Sequence, residues 1–337
     1  MNERSTPGGR EDRPRVQPRE SQTYRYEKVS DPQWLERIEQ EIKTSKTVTF
    51  EFEGKSLKME YIEVPAKDSP EEKEGEHKEK VIVLIPGFAA SHVPYAPPVR
   101  ELAQYLPGYR VICLSPFDSG KSSALKGSSL EKMNRAYHEA FKQMGIDSEH
   151  SKATIIGHSR SDIIALGLAS AYPDLVKQIV LINGVSANPS GLPKLAYQFT
   201  RHTIASITPE RIKRAFKDEY GRDERDVAEN YWRQTIDFMK NMLQFPQVVH
   251  QLNSLRQRQN VDLRSLLSSL ASDVLILSGT ADLTAYEDTS ERIYMSLPDN
   301  VRAEHSIEVG GLHDELSAHP EGVALKVAHW LSSLRKK

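Results

Sequence analysis

Short apolar runs alternate along this chain with longer stretches whose apolar residues recur every three or four positions, and most of its elements can be predicted from that alternation. Lys80–Pro86 is an almost unbroken apolar run, and Arg110–Leu114, Gln178–Ile182 and Asp273–Gly279 have the same character. Such runs predict strands covered on both faces, as in a parallel sheet. His92–Leu106, Ser129–Met144 and Ser161–Tyr172 carry helical periodicity between them, with a capping-box spacing from Ser128 to Glu131. This alternation of strand and helix predicts a doubly wound, mostly parallel α/β sheet of about eight strands. Two alternating segments, Thr47–Glu53 and Ser56–Val64, read as an antiparallel hairpin at its start. Asp68–Lys80, a Lys/Glu run with Pro70, reads as an exposed loop. Near the end, Ala303–Val309 alternates like a strand, and a helix starts near Pro320.

The rhythm breaks twice. Residues 1–28 are rich in Arg, Glu, Pro, Ser and Gly and are expected to form a disordered tail. A helix follows from Asp31-Pro32, with Trp34, Leu35, Ile38 and Ile42 on one face. Beyond Val185 no convincing strand appears until Val274; residues 189–268 read as helical, including a start at Thr208-Pro209-Glu210 and an apolar stripe along Arg225–Leu243. The division that follows is a core of residues 29–188 and 269–337, interrupted after the sixth strand by an all-helical segment far longer than a simple connection.

Composition narrows the function classes. With 337 residues, 38% hydrophobic and 27% charged, the chain has the balance of a globular protein with one large core. A net charge of −2 argues against nucleic acid as the main partner. Cys113 is the sole cysteine, falls inside a predicted strand and is expected to be buried and inert. No segment has the apolar length of a membrane span and no signal peptide is visible, so a cytoplasmic location is expected.

The candidate chemistry gathers at strand ends. Gly157-His158-Ser159-Arg160-Ser161 closes an apolar run and opens a helix, the pattern that pushes a serine hydroxyl out of a sheet edge on a sharp turn. Gly157 suits the tight packing before that turn, and Ser161 occupies a place where Gly is usual. Asp282 stands just past Gly279, and His313 just past the strand ending near Val309. In a parallel sheet these ends share one edge, where open α/β sheets hold their sites. A serine nucleophile needs a base, and the base an acid to orient it. At the end of Lys80–Pro86, Gly87 lets the backbone turn so that the N–H of Phe88 can join that of Arg160 around an oxyanion. Each residue also has a structural reading: Ser159 as a helix cap, Asp282 as a turn brace, His313 as one of eleven histidines that include His305 and His319. Past Gln178–Ile182 the rival acid position holds Asn183 and Asn188. Gly120-Lys121-Ser122 has the tail of a phosphate-binding loop, but position 115 is Ser where that motif needs Gly.

Taken together, Pro86-Gly87-Phe88, Asp118-Ser-Gly-Lys-Ser122, Gly157–Ser161, Gly279–Asp282 and Gly311-Leu312-His313 resemble the motifs of the α/β-hydrolase fold family over roughly residues 45–335. The order Ser, Asp, His is that family's order. The resemblance implies an α/β-hydrolase fold of the serine-nucleophile branch with a helical cap, or lid, at 189–268. It implies a triad of Ser159, Asp282 and His313, an oxyanion hole of the Phe88 and Arg160 N–H groups, and an acyl-enzyme mechanism. No cofactor and no metal are expected. Ser at position 159 disfavours the branches that use a carboxylate nucleophile, namely dehalogenases and epoxide hydrolases. A small, largely apolar acyl ester is the leading substrate class. An aminopeptidase, to which Glu210, Asp226, Glu229 and Asp237 leave room, and an amide or carbon–carbon bond hydrolase stay open. So does a non-catalytic ligand-binding protein, for which Ser161 and Asp162 speak weakly. Oligomeric state is left open.

Overall fold

The computed structural model describes residues 44–67, 79–88, 90–125, 129–185, 261–280, 282, 285, 287–308, 311, 313 and 315–334. The expected tail 1–28, the helix from Asp31, most of the Lys/Glu run and the inserted segment up to residue 260 lie outside the described residues.

Eight strands form one sheet: β1 (Lys46–Phe52), β2 (Lys55–Val64), β3 (Glu79–Ile85), β4 (Arg110–Leu114), β5 (Ser151–His158), β6 (Val176–Ile182), β7 (Asp273–Gly279) and β8 (Ala303–Glu308). Their spatial order is β1-β2-β4-β3-β5-β6-β7-β8. The hairpin β1–β2 is antiparallel and β2 pairs antiparallel with β4, while every pairing from β4 to β8 is parallel. Among the described residues the α-helices are α1 (Ala96–Tyr105), α2 (Leu130–Gln143), α3 (Asp162–Ala171), α4 (Leu263–Ser268), α5 (Glu287–Ser296), α6 (Glu315–Ala318) and α7 (Pro320–Leu334).

The unbroken apolar runs of the central strands have a direct physical cause, because successive side chains serve two different cores. Val81, Val83, Ile85, Ile112, Leu114, Ile155, Ile179 and Ile276 pack on one face with Tyr137 and Phe141 of α2, Ile164 of α3 and Ile293 of α5. Ile82, Leu84, Val111, Cys113, Ile156, Val180 and Leu275 pack on the other with Leu102 of α1 and Val327 and Trp330 of α7. With both faces covered, neither set of alternating side chains has reason to be polar. Cys113 is wholly buried, as its strand position predicts. Leu267 of α4, at the end of the segment read as inserted, joins the first of these cores. The cap of α2 differs from the expected one: Ser129, not Ser128, is its N-cap and accepts from the Lys132 N–H. No helix among the described residues is long and apolar enough to cross a membrane.

Candidate active site

Ser159 follows directly on β5 with φ +54°, in the left-handed region that a residue with a side chain enters only under constraint. The constraint is visible on both sides of it. A Cβ on Gly157 would lie 2.5 Å from the Ser161 carbonyl oxygen, so only glycine lets the strand end so close to the next turn. Ser161 donates its hydroxyl to the Pro86 carbonyl at 2.5 Å, bracing the turn against the end of β3. That bond accounts for Ser where glycine is usual.

Asp282 is buried three residues past β7. Its Oδ1 accepts the Ala285 N–H at 2.7 Å, and its Oδ2 lies 2.9 Å from His313 Nδ1. His313 Nε2 in turn lies 2.9 Å from Ser159 Oγ. A carboxylate oxygen accepts, so Nδ1 carries the ring proton and Nε2 is left to accept the serine hydroxyl. Three residues up to 154 positions apart thus meet at one sheet edge in hydrogen-bond contact.

Gly87 makes room for this centre, since a Cβ there would stand 3.2 Å from Ser159 Cβ and from His158 Nδ1. Phe88 follows it, with its ring over the Arg160 guanidinium at 5.4 Å. The side chains of the two residues expected to supply oxyanion N–H groups therefore pack on each other. Burial lowers the pKa of the Arg160 guanidinium, against the pull of Tyr137, Asp118 and Tyr95. Such a group stays charged at neutral pH all the same.

Several supporting residues carry no local signature. Asn183, at the rival acid position, donates to the His313 carbonyl at 2.8 Å and accepts the Gly279 N–H at 3.1 Å, joining the His313 backbone to the strand that leads to Asp282. Glu60 on β2 is buried beside the loop that follows β4. It accepts from Ser115 Oγ at 3.0 Å, the Lys121 N–H at 2.9 Å and Ser45 Oγ at 2.7 Å, with Lys121 Nζ at 3.2 Å. Burial would raise its pKa, but His92, the Lys121 N–H, Ser45 and the Lys121 ammonium outweigh it and hold the carboxyl below its ordinary value. The backbone of Gly120-Lys121-Ser122 therefore meets an anion of its own chain where a phosphate loop would meet a ligand. Asp147, Glu149 and His150 could together hold an ion. They precede β5, at the opposite end of that strand from Ser159, and Asp147 already accepts from the other two.

Residues 80–313 match the alpha/beta hydrolase fold family. "Putative carbamate hydrolase RutD" of Yersinia enterocolitica is 23% identical over 248 residues, 73% of this chain and 84% of that protein. A bacterial membrane phospholipase A superposes with a TM-score of 0.67 at 17% identity, covering 90% of this chain and 91% of its own. A thermophilic esterase from Thermogutta terrifontis superposes with a TM-score of 0.60 at 17% identity, covering 86% and 98%. Sheet order, the turn at Ser159 and the family match agree, and the chain belongs to the α/β-hydrolase fold family.

Proposed function

We propose that this protein is a serine hydrolase that cleaves a small carboxylic ester through an acyl-enzyme. The observation that carries the reading is the His313 ring held between Ser159 Oγ and Asp282 Oδ2, 2.9 Å from each. His313 takes the Ser159 proton as the hydroxyl attacks the ester carbonyl, and Asp282 stabilises the imidazolium that forms. The backbone N–H groups of Phe88 and Arg160 receive the developing oxyanion. The alcohol leaves with the proton held on His313; water, activated by the same base, then releases the acid and frees Ser159.

The names of similar proteins, an esterase and a phospholipase among solved structures, support ester cleavage. The carbamate hydrolase name of the sequence relatives favours one second reading, attack on a carbamate by the same serine. In either reading the segment 189–268 governs substrate access, because the chain leaves the sheet after β6 at the edge that carries Ser159. Trimming Trp232 or Phe238 then alters KM and chain-length preference while a fluorophosphonate still labels the serine.

A panel of p-nitrophenyl acyl esters and p-nitrophenyl carbamates separates the readings. Turnover that vanishes in Ser159→Ala supports the serine mechanism, and the preferred leaving bond decides between ester and carbamate. Esters and carbamates both left intact by protein that also resists fluorophosphonate labelling would refute it.

A further inference from the structure

His158, the residue before the candidate nucleophile, takes no part in the chemistry described above, yet it sits at the centre of a buried hydrogen-bond chain. The Gly87 N–H donates to Tyr95 Oη at 3.2 Å. Tyr95 Oη lies 2.7 Å from His158 Nδ1, and His158 Nε2 lies 2.8 Å from the carbonyl oxygen of His313. The carbonyl can only accept, so His158 Nε2 bears a proton; in the neutral ring Nδ1 then accepts, and the Tyr95 hydroxyl donates to it. The direction of every bond is settled by its ends: Gly87 to Tyr95, Tyr95 to His158, His158 to His313. His158 is 2% exposed and Tyr95 3%, so these bonds face little competition from water.

The chain joins two parts of the site that nothing in their local sequence connects. Gly87 precedes Phe88 at the oxyanion turn, and the His313 carbonyl belongs to the backbone of the base itself. The same carbonyl also accepts from Asn183, so both of its acceptor directions are engaged.

We propose that His158 is a positioning residue, which holds the catalytic base by its backbone and couples it through Tyr95 to the oxyanion turn. This inference rests on Ser159, His313 and Asp282 being the working triad. A base that must stand 2.9 Å from both a hydroxyl and a carboxylate is sensitive to small rotations of its own backbone. A displacement on the order of 1 Å can cost about 10²-fold in rate. With His158 neutral the Tyr95 hydroxyl donates to Nδ1; a proton on Nδ1 would reverse that bond, so that Tyr95 Oη accepts from both Nδ1 and the Gly87 N–H and its own hydrogen must point elsewhere. A charge there would also oppose the His313 imidazolium, whose ring centroid is 5.2 Å away. Among the described residues, the groups that meet the base include Asp282 from beyond β7, Ser159 and His158 at the end of β5, and Tyr95 behind His158.

The test compares His158→Leu, His158→Gln and Tyr95→Phe in the full chain, with kcat for a p-nitrophenyl ester expressed per serine titrated by a fluorophosphonate. Leu offers no donor, whereas the Gln amide nitrogen can replace Nε2. H158L is expected to lower kcat by about 10- to 100-fold with KM changed less than about threefold. It also moves the acid limb of the kcat/KM profile to lower pH, because an imidazolium less squarely held against Asp282 is less stabilised. H158Q restores most of the rate and the wild-type profile. Y95F, which leaves both imidazoles in place, gives a smaller loss with the same direction of shift. A purely structural His158 would cost yield or melting temperature and leave kcat per labelled serine and the pH profile at wild-type values, and that result overturns the proposal. Equal losses in H158L and H158Q overturn it as well. If H158L does not fold, Y95F decides: a wild-type rate and profile there reject the coupling. Ester turnover that survives Ser159→Ala is a different failure, since it removes the triad and the proposal together.

Discussion

Replacing Gly157 by Ala adds a single methyl group to the most crowded backbone at the site. Its Cβ would lie 2.5 Å from the Ser161 carbonyl oxygen, 2.8 Å from the Ser161 carbonyl carbon and 3.0 Å from Asp162 Cα. The first of these is about 0.9 Å short of ordinary van der Waals contact, and all three atoms are backbone, so no side chain can rotate away. Either β5 or the start of α3 must move, and Ser159 lies between them. Even half of that displacement carries the 2.9 Å contact between Ser159 Oγ and His313 Nε2 toward the limit of a hydrogen bond. The expected cost is about 1–3 kcal/mol in stability, the usual range for overpacking, and about 10²-fold in kcat. The control is Gly145→Ala after α2, where φ is +74° and nothing lies within 4 Å of the added Cβ. It pays in backbone strain, about 1–3 kcal/mol, and keeps its kcat. Urea titration gives the stabilities, and p-nitrophenyl ester turnover per labelled serine gives the rates. Soluble Gly157→Ala protein with a wild-type kcat would refute the claim that the crowding at this glycine sets the position of Ser159.

Three further outcomes are expected. Ser159→Ala loses fluorophosphonate labelling and about 10⁴-fold or more in ester turnover while its melting temperature holds, and near-normal turnover would remove Ser159 from the mechanism. Asp282→Asn loses about 10⁴-fold, mainly in kcat, because the amide stabilises the wrong tautomer of His313; a loss confined to KM would give Asp282 another role. Burial lowers the pKa of His305 to about 4, below its unfolded value of about 6.5. The unfolded chain therefore binds the extra proton between these values, and stability that is full above about pH 6.5 drains away toward pH 4, by roughly 3 kcal/mol at most. Urea midpoints of wild type and His305→Gln across that window give the comparison, and parallel pH dependences would contradict it.

The parts of this molecule that could be read from sequence are those with short-range signatures. Strands buried on both faces announce themselves by their lack of alternation, and the serine turn by glycine, serine and a helix start within five residues. Ser159, Asp282 and His313 could each be placed at a strand end, and parallel topology then brings those ends to one edge. Polar contacts between distant segments leave no such trace. The bond from His158 to the His313 carbonyl spans 155 residues and that from Asn183 spans 130. Asn183 was visible only as a failed acid, since nothing in Asn-Gly-Val says that its amide holds another loop. Arg160 was read for its backbone N–H alone, because an arginine next to a serine turn does not reveal that it lies under a phenylalanine ring. The shift of the α2 cap from Ser128 to Ser129 reflects two adjacent serines of equal capping propensity, a choice that packing makes and propensity cannot.

Glu60 also limits how the chain can be cut. The family match begins at residue 80, inviting a minimal fragment that starts with β3. Such a fragment would lack β2 and the carboxylate that receives Ser115 Oγ and the Lys121 N–H. It would also bare the flank of β4 that residues 61–64 cover in register with 111–114. An uncovered strand of Val-Ile-Cys-Leu is a template for pairing with a second copy, so the truncated protein is expected to sediment as aggregates where the longer chain stays in solution. The two antiparallel strands, outside the parallel part of the sheet, thus close off its flank.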